Sequence, residues 1–242
     1  MLRAVSFDYW DTLYQGATLP ERSMLRRVAL RRMLTDIGCE ATDEEFAAAY
    51  VASGVEAERW WREEQRGYTA AERIRWMLER LDVERPADCP HIALASEAVD
   101  EALLCYPPPL LPGAASMVRS LSERYLLAIT SDTGFASSRA QDRLLERDGI
   151  QPLFAVRTYS MDVGHAKPHP APFRATIDAL GVQPGEVLHV GDNERTDVQG
   201  ALAAGMRAVR LDVVKENGAS DAELVARSFE ELEEYLRLGS RE

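Results

Sequence analysis

Asp8 ends the apolar run in Val5-Ser6-Phe7-Asp8-Tyr9-Trp10-Asp11-Thr12-Leu13 and so puts a carboxylate where a buried strand gives way to a turn. In open α/β sheets that is where chemistry collects. Further along, Ser131 follows a second apolar run, Lys167 lies in Gly164-His165-Ala166-Lys167-Pro168, and Asp192 and Asp197 lie in Gly191-Asp192-Asn193-Glu194-Arg195-Thr196-Asp197. If the preceding runs are parallel strands of one sheet, these side chains meet on its carboxyl edge. Three crowded carboxylates repel and raise one another's pKa values unless a cation neutralises them. A hard divalent ion such as Mg2+, with oxygen ligands and retained waters, meets that need. Lys167 supplies further positive charge and Ser131 a hydroxyl donor for an anionic oxygen. Lys167 and Lys215 are the only lysines among 28 Lys plus Arg, so a lysine at a motif position stands out.

The elements that must hold these groups fall into two regions. Residues 14–112 read as successive helices near 20–37, 43–66, 70–82 and 91–105, with capping boxes at Thr42 to Glu45 and Thr69 to Glu72. Tyr106-Pro107-Pro108-Pro109-Leu110-Leu111-Pro112-Gly113 then stops helix formation, because proline lacks the amide hydrogen and clashes with the preceding turn. Residues 113–242 alternate apolar runs at Leu126–Ile129, Phe154–Tyr159, Val187–Val190 and Ala208–Leu211 with helical patterns. With Ala4–Phe7 they predict five strands in an α/β fold with a Rossmann-like, mostly parallel sheet. A further capping box, Ser220 to Glu223, predicts a last helix running through about Leu236. The expected organisation is a core of residues 1–13 and 113–242 with a helical cap, residues 14–112, inserted after the first strand.

Composition narrows the class. The chain has 242 residues, 46% of them hydrophobic, enough for one large core or a core plus a smaller domain. A net charge of -12 argues against nucleic acid and acidic membranes as partners, while local charge still admits a small anionic substrate. Cys39, Cys89 and Cys105 are odd in number and widely spaced, which suggests neither a disulfide framework nor a zinc site. With no long apolar run and no cleavage signal after Met1, the expected location is the cytoplasm.

In this order the motif residues resemble the haloacid dehalogenase-like superfamily over essentially the whole core. The resemblance implies that Asp8 is a nucleophile, that Ser131 in Thr130-Ser131-Asp132 binds phosphate, and that Lys167 stabilises charge. It also implies that Asp192 and Asp197 organise Mg2+, Asp197 through water or by holding Lys167. Asp132, Thr12 and Lys167 join Ser131 as phosphate contacts, and the backbone carbonyl of Trp10 joins Asp8 as a metal ligand. The helical block corresponds to a cap that selects the substrate, with Tyr14, Trp60, Trp61, Trp76 and Arg22, Arg26, Arg27, Arg59, Arg62 and Arg66 as unranked candidates. Of the histidines, His165 is the candidate substrate contact, and His91, His169 and His189 read as structural or surface residues.

Trp10 departs from the family pattern. Family phosphatases commonly carry a second Asp there as general acid and base, a contribution of about 10²–10⁴ in rate that indole cannot supply near neutral pH. Asp11 points along another direction of the turn and is no obvious substitute. Three readings follow: phosphoryl transfer from substrates with good leaving groups, attack on carbon as in the metal-free dehalogenases of the superfamily, and a binding or regulatory protein on the same scaffold. Those dehalogenases also have an aromatic residue at that place, but lack the metal ligand that Asp192 represents.

Overall fold

In the computed structural model, residues 1–16, 19–85 and 88–238 are described. The chain divides into two compact units: Met1–Gly16, Pro108–Asp132 and Leu145–Glu242 in one, Ala17–Pro107 and Thr133–Leu144 in the other.

The first unit is built on a six-stranded sheet of β1 (Ala4–Phe7), β2 (Leu126–Ser131), β3 (Phe154–Tyr159), β4 (Val187–Gly191), β5 (Arg207–Leu211) and β6 (Leu224–Ala226). All neighbours are parallel, in the order β3-β2-β1-β4-β5-β6. Successive strands run outward from β1 in one direction and from β4 in the other, so the order reverses between β1 and β4, the kind of position beyond whose strand ends open α/β sheets bind ligands. β1 and β4 are buried along their whole length, which is why both read as apolar runs without alternation. On one side Phe173, Ile177 and Leu180 of a helix spanning Pro170–Leu180 pack with Ala4, Ala128, Val187 and Ala208 of the strands. The chain leaving β1 pairs with the chain returning to β2: Leu111 N donates to Leu13 O (2.8 Å) and Gln15 N to Pro109 O (3.1 Å).

The expected end of the chain is corrected. Ser220 to Glu223 opens no helix. Glu223 instead pairs with Arg207 (3.0 Å), and residues 224–226 add the sixth strand beside β5. The last helix spans Phe229–Leu238, and its first turn is tied by Ser228 Oγ accepting from Glu231 N (3.2 Å) and Glu231 Oε2 accepting from Arg227 N (2.7 Å).

The inserted unit is the helical cap, with α1 (Pro20–Asp36), α2 (Asp43–Arg62), α3 (Ala70–Glu79) and α4 (Pro90–Cys105). Its own core joins Leu30, Leu34, Phe46, Ile74, Met77 and Val99 with Phe135. Both predicted capping boxes are formed. Thr42 and Thr69 each accept from the third helical amide (3.2 Å) while Glu45 and Glu72 accept from the cap amides (2.8 Å), each cap stabilising its helix by about 1 kcal/mol. No described helix is long and apolar enough to cross a membrane.

Candidate active site

Asp8 extends the β1 ladder by one bond, donating its backbone N–H to Val190 O (2.8 Å), so its carboxylate stands at the β1/β4 reversal. The turn beyond it is closed by Leu13 N and Tyr14 N donating to Tyr9 O (3.0 and 2.9 Å). Asp11 sits at φ 55° and turns its carboxylate to the Gly16 N–H (2.7 Å), away from any acid role. Tyr14 is fully buried, stacked on Tyr9 and bonded to Asp148 (2.8 Å), which removes it from the candidate substrate contacts. The Thr12 hydroxyl is buried with no hydrogen-bond partner among the described residues.

Lys167 is 2% exposed and donates to Asp8 Oδ1 (2.6 Å) and Asp197 Oδ1 (2.5 Å). Its backbone N–H donates to Asp132 Oδ1 (3.0 Å), so the Asp132 carboxylate is engaged in holding the lysine loop. β2 runs two residues further than the expected Leu126–Ile129, so Ser131 is its last residue, and its Oγ donates to Asp132 O (3.3 Å). The half-buried Trp10 indole donates to the same carbonyl (3.2 Å).

Asp197 is delivered by a π-helical turn, Glu194–Val198, a geometry that often marks functional sites. Asn193 starts the turn by accepting from Arg195 N (3.0 Å) and Thr196 N (3.2 Å). Asp197 Oδ2 accepts from Asn193 N (3.0 Å), and Oδ1 lies 3.2 Å from His189 Nε2. Gly191 has to be glycine here: a Cβ would lie 2.3 Å from Asp197 Cγ. Asp192 is set beside them, its carbonyl accepting from Asn217 Nδ2 (3.3 Å). The loop of Asn217 is in turn fixed by the buried Arg210, which bonds Asp212, Glu194 and the carbonyls of Asn217, Gly218 and Ala219.

Ligand oxygens of Asp8, Asp192 and Asp197 all lie within 4.8 Å of one another. Three carboxylates against the one Lys167 ammonium leave two negative charges, the complement of one divalent cation. Burial raises the Asp8 carboxyl well above its usual range, with Asp197 and Asp192 adding to burial and Lys167 opposing it. Burial and Asp197 likewise push Asp192 up to about 7. Burial would raise Asp197 too, but Lys167 and His189 outweigh it and hold that carboxyl well below its ordinary value. Burial alone would depress Lys167, but Asp197, Asp8 and Asp132 keep the ammonium protonated. The donor set fits a hard cation: oxygen ligands, surplus negative charge, and two carboxyls that resist ionisation without it. Asp197 already accepts protein bonds on both oxygens, whereas no side chain among the described residues donates to Asp192, and Lys167 alone donates to Asp8.

His189, one of the histidines read as structural or surface, is structural and lies at the site itself. It is fully buried and bridges Asp197 to Ser6, with Nδ1 3.2 Å from Ser6 Oγ. Because an ionised carboxylate only accepts, Nε2 carries the proton and Nδ1 accepts from Ser6. Ser6 in turn pairs with Thr130 (2.7 Å) and Thr130 with Thr176 (2.7 Å), a buried polar row under the sheet. A polar residue inside the otherwise apolar Val187-Leu188-His189-Val190, in register with Ser6, was the available signal. His165 stacks on His169 (3.8 Å), and His169 caps the Pro170–Leu180 helix by accepting from Ala171 N (3.2 Å).

A sequence profile of the haloacid dehalogenase-like hydrolases matches residues 2–205. The chain is 31% identical over 218 residues to the glyceraldehyde 3-phosphate phosphatase of Methanopyrus kandleri, covering 87% of this chain and 84% of that protein. It is 27% identical over 225 residues to the ribulose-1,5-bisphosphate 5-phosphatase of Halopiger xanaduensis, covering 92% and 90%. Among solved structures, the 2-haloacid dehalogenase of Pseudomonas syringae pv. Tomato superposes with a TM-score of 0.70 at 24% identity, covering 98% and 99%. The magnesium-bound HAD-hydrolase YfnB of Bacillus subtilis does so at 0.60 and 20%, covering 97% and 98%.

Proposed function

The chain belongs to the haloacid dehalogenase-like hydrolases, and from that premise we propose that it is a Mg2+-dependent phosphatase acting through an aspartyl-phosphate on a small anionic metabolite with a good leaving group. The observation that carries the reading is the cluster of Asp8, Asp192 and Asp197 around one lysine, whose surplus of two negative charges calls for a divalent cation. Attack on carbon needs no such cation, and a binding scaffold needs no ammonium aimed at a strand-end carboxylate. Asp8, Asp192 and the Trp10 carbonyl are assigned as ligands, with Asp197 acting through water and through Lys167. The phosphatases of known substrate among the relatives support a phosphorylated metabolite.

In this mechanism Asp8 Oδ1 stays on Lys167 and Oδ2 attacks phosphorus in line. The bond from phosphorus to the leaving oxygen breaks, and its electron pair departs with that oxygen. Lys167 offsets charge on the phosphoryl oxygens, as do the Ser131 and Thr12 hydroxyls; Asp132 contributes through its backbone, because its carboxylate is committed to Lys167 N. A bound Mg2+ supplies further charge neutralisation at the phosphoryl oxygens. Water then attacks phosphorus, the bond to Asp8 breaks with its electron pair returning to the carboxylate, and the phosphate leaves carrying both protons of that water. The Trp10 N–H is held by Asp132 O and indole gives up no proton at neutral pH, so the leaving group must depart with little protonation, as from an acyl phosphate or an activated aryl ester. The helical unit is assigned substrate selection.

The test is incubation of purified protein with acetyl phosphate, an aryl phosphate and a 2-haloacid, each with Mg2+ and with chelator. Phosphate release that needs Mg2+ is expected. Halide release that survives chelator contradicts the proposal.

A further inference from the structure

Of the six arginines of the helical unit that sequence alone left unranked, three have acidic partners at ion-pair distance, while the buried Arg22 gives its guanidinium to Tyr106 O (3.0 Å). Arg59 pairs with Glu56 and Glu64, Arg62 with Glu58, and Arg66 with Glu72. Arg26 on α1 and Arg73 on α3 differ. Both are half-buried, and among the described residues neither has a carboxylate at ion-pair distance. Arg26 Nε is buried without a hydrogen-bond partner among the described residues. Arg73 Nε donates to Ser53 Oγ (3.2 Å), and the bare Cα of Gly54 leaves room for Arg73 Nη2, which an added Cβ would meet at 3.2 Å. The two guanidiniums share one aromatic ring, Phe135, at 3.9 Å for Arg73 and 5.4 Å for Arg26.

Like charges gathered this way repel. Burial, then Arg22 and Arg73, push Arg26 down to about 10, and burial lowers Arg73. The nearby Asp100 gives its carboxylate to Ser137 N (2.8 Å) and Ser137 Oγ (2.5 Å) instead. In a chain with 40 acidic and 28 basic residues, two half-buried cations left without an acid mark a place where the counter-charge comes from outside. A planar guanidinium suits the oxygens of carboxylate and phosphate.

We propose that Arg26 and Arg73 form an anion site within the helical unit that takes a carboxylate or phosphate group of a small molecule. The group is either the non-reacting end of a doubly anionic substrate, an attribution that rests on the phosphatase reading, or a free anion that binds as an effector. The site itself depends on neither.

Two measurements on the full chain test it. Inorganic phosphate is titrated by calorimetry into protein held in chelator, which withholds the divalent cation that the proposed catalytic site uses to hold a phosphoryl group. With Mg2+, kcat/KM is compared for two phosphomonoesters that differ only in ending in a carboxylate or a hydroxymethyl group. Wild type is expected to bind phosphate, and Arg26→Gln and Arg73→Gln each to bind about tenfold or more weakly. If the anion is the substrate's own, wild type prefers the carboxylate ester by about tenfold or more and both variants lose that preference. If it is a free effector, the esters are used alike and only phosphate binding is lost. Arg73→Lys keeps charge and packing but not the planar fork, and stands in should Arg73→Gln fail to fold; its binding is also expected to weaken. Folded variants that bind phosphate and choose esters as wild type does overturn the proposal, as does a wild type that shows neither property.

Discussion

Removing the charge of Asp192 probes the electrostatics of the acidic cluster. Burial, helped by Asp197 and opposed by Lys167, moves its carboxyl from the ordinary 3.8 up to about 7. A carboxyl that ionises later in the folded than in the unfolded chain holds more protons when folded, so its contribution to the stability of the metal-free protein falls as pH rises from about 4 to about 7. About three pH units at about 1.4 kcal/mol each set a ceiling of about 4 kcal/mol. Asp8, raised by burial and the same neighbours, titrates with it and takes part of that sum. Asp192→Asn keeps the shape and drops the charge. His189, whose pKa is lowered by burial, contributes an opposite slope in both proteins and cancels from the difference between them, which reports Asp192 together with its coupling to Asp8. Urea unfolding in chelator is expected to show the variant gaining on wild type by about 1–3 kcal/mol between about pH 5 and about pH 8, the part of the ceiling that lies above pH 5. Excess Mg2+ then stabilises wild type and has little effect on the variant. A difference that does not change with pH, or a variant less stable than wild type at the upper pH, refutes the reasoning.

Gly191→Ala places a Cβ 2.3 Å from Asp197 Cγ, and Asp197 cannot retreat without breaking its bonds to Lys167 and His189. A loss of about 3 kcal/mol in unfolding and weaker Mg2+ binding by calorimetry are expected, and wild-type values for both contradict this. Trp10→Asp is expected to raise turnover of alkyl phosphates by about 10²–10⁴ relative to acetyl phosphate, whereas Trp10→Phe, which loses only the bond to Asp132 O, leaves that ratio unchanged. His189→Leu strips a partner from Asp197 and from Ser6, costing about 1–3 kcal/mol in stability. It should also lower kcat more than it changes KM, and His189→Gln, whose amide end replaces Nε2–H, should recover part of kcat; folded variants with unchanged kcat sink the positioning role.

What was legible in the sequence had local causes. The five predicted strands are short apolar runs, β1 and β4 buried along their whole length, and the two capping boxes satisfy helix amides within four residues of chain, so pattern alone locates them. The sixth strand was hidden because Ser220 and Glu223 have the residue types of a cap, while the carboxylate that decides the matter is drawn to Arg207, distant in sequence. The same holds at the site. Asp8 and Asp192 stand out because each follows an apolar run, and Lys167 and Asp197 because of the motifs around them, but that Asp132 holds Lys167 N, and that His189 ties Asp197 to Ser6, are facts of tertiary contact. Arg73 was passed over because lacking an acidic partner is likewise a property of the folded chain, whereas Arg59, Arg62 and Arg66 looked equally promising and are engaged with glutamates.

The central claim is that Asp8 takes the phosphoryl group. Acid quenching during turnover of acetyl phosphate, followed by mass spectrometry of the peptide that contains Asp8, reads this directly. The account predicts a phosphorylated Asp8 that forms with Mg2+ and is absent in chelator and in Asp8→Asn. Phosphate release by wild type with Asp8 unmodified throughout, or with the phosphoryl group on another residue, contradicts it.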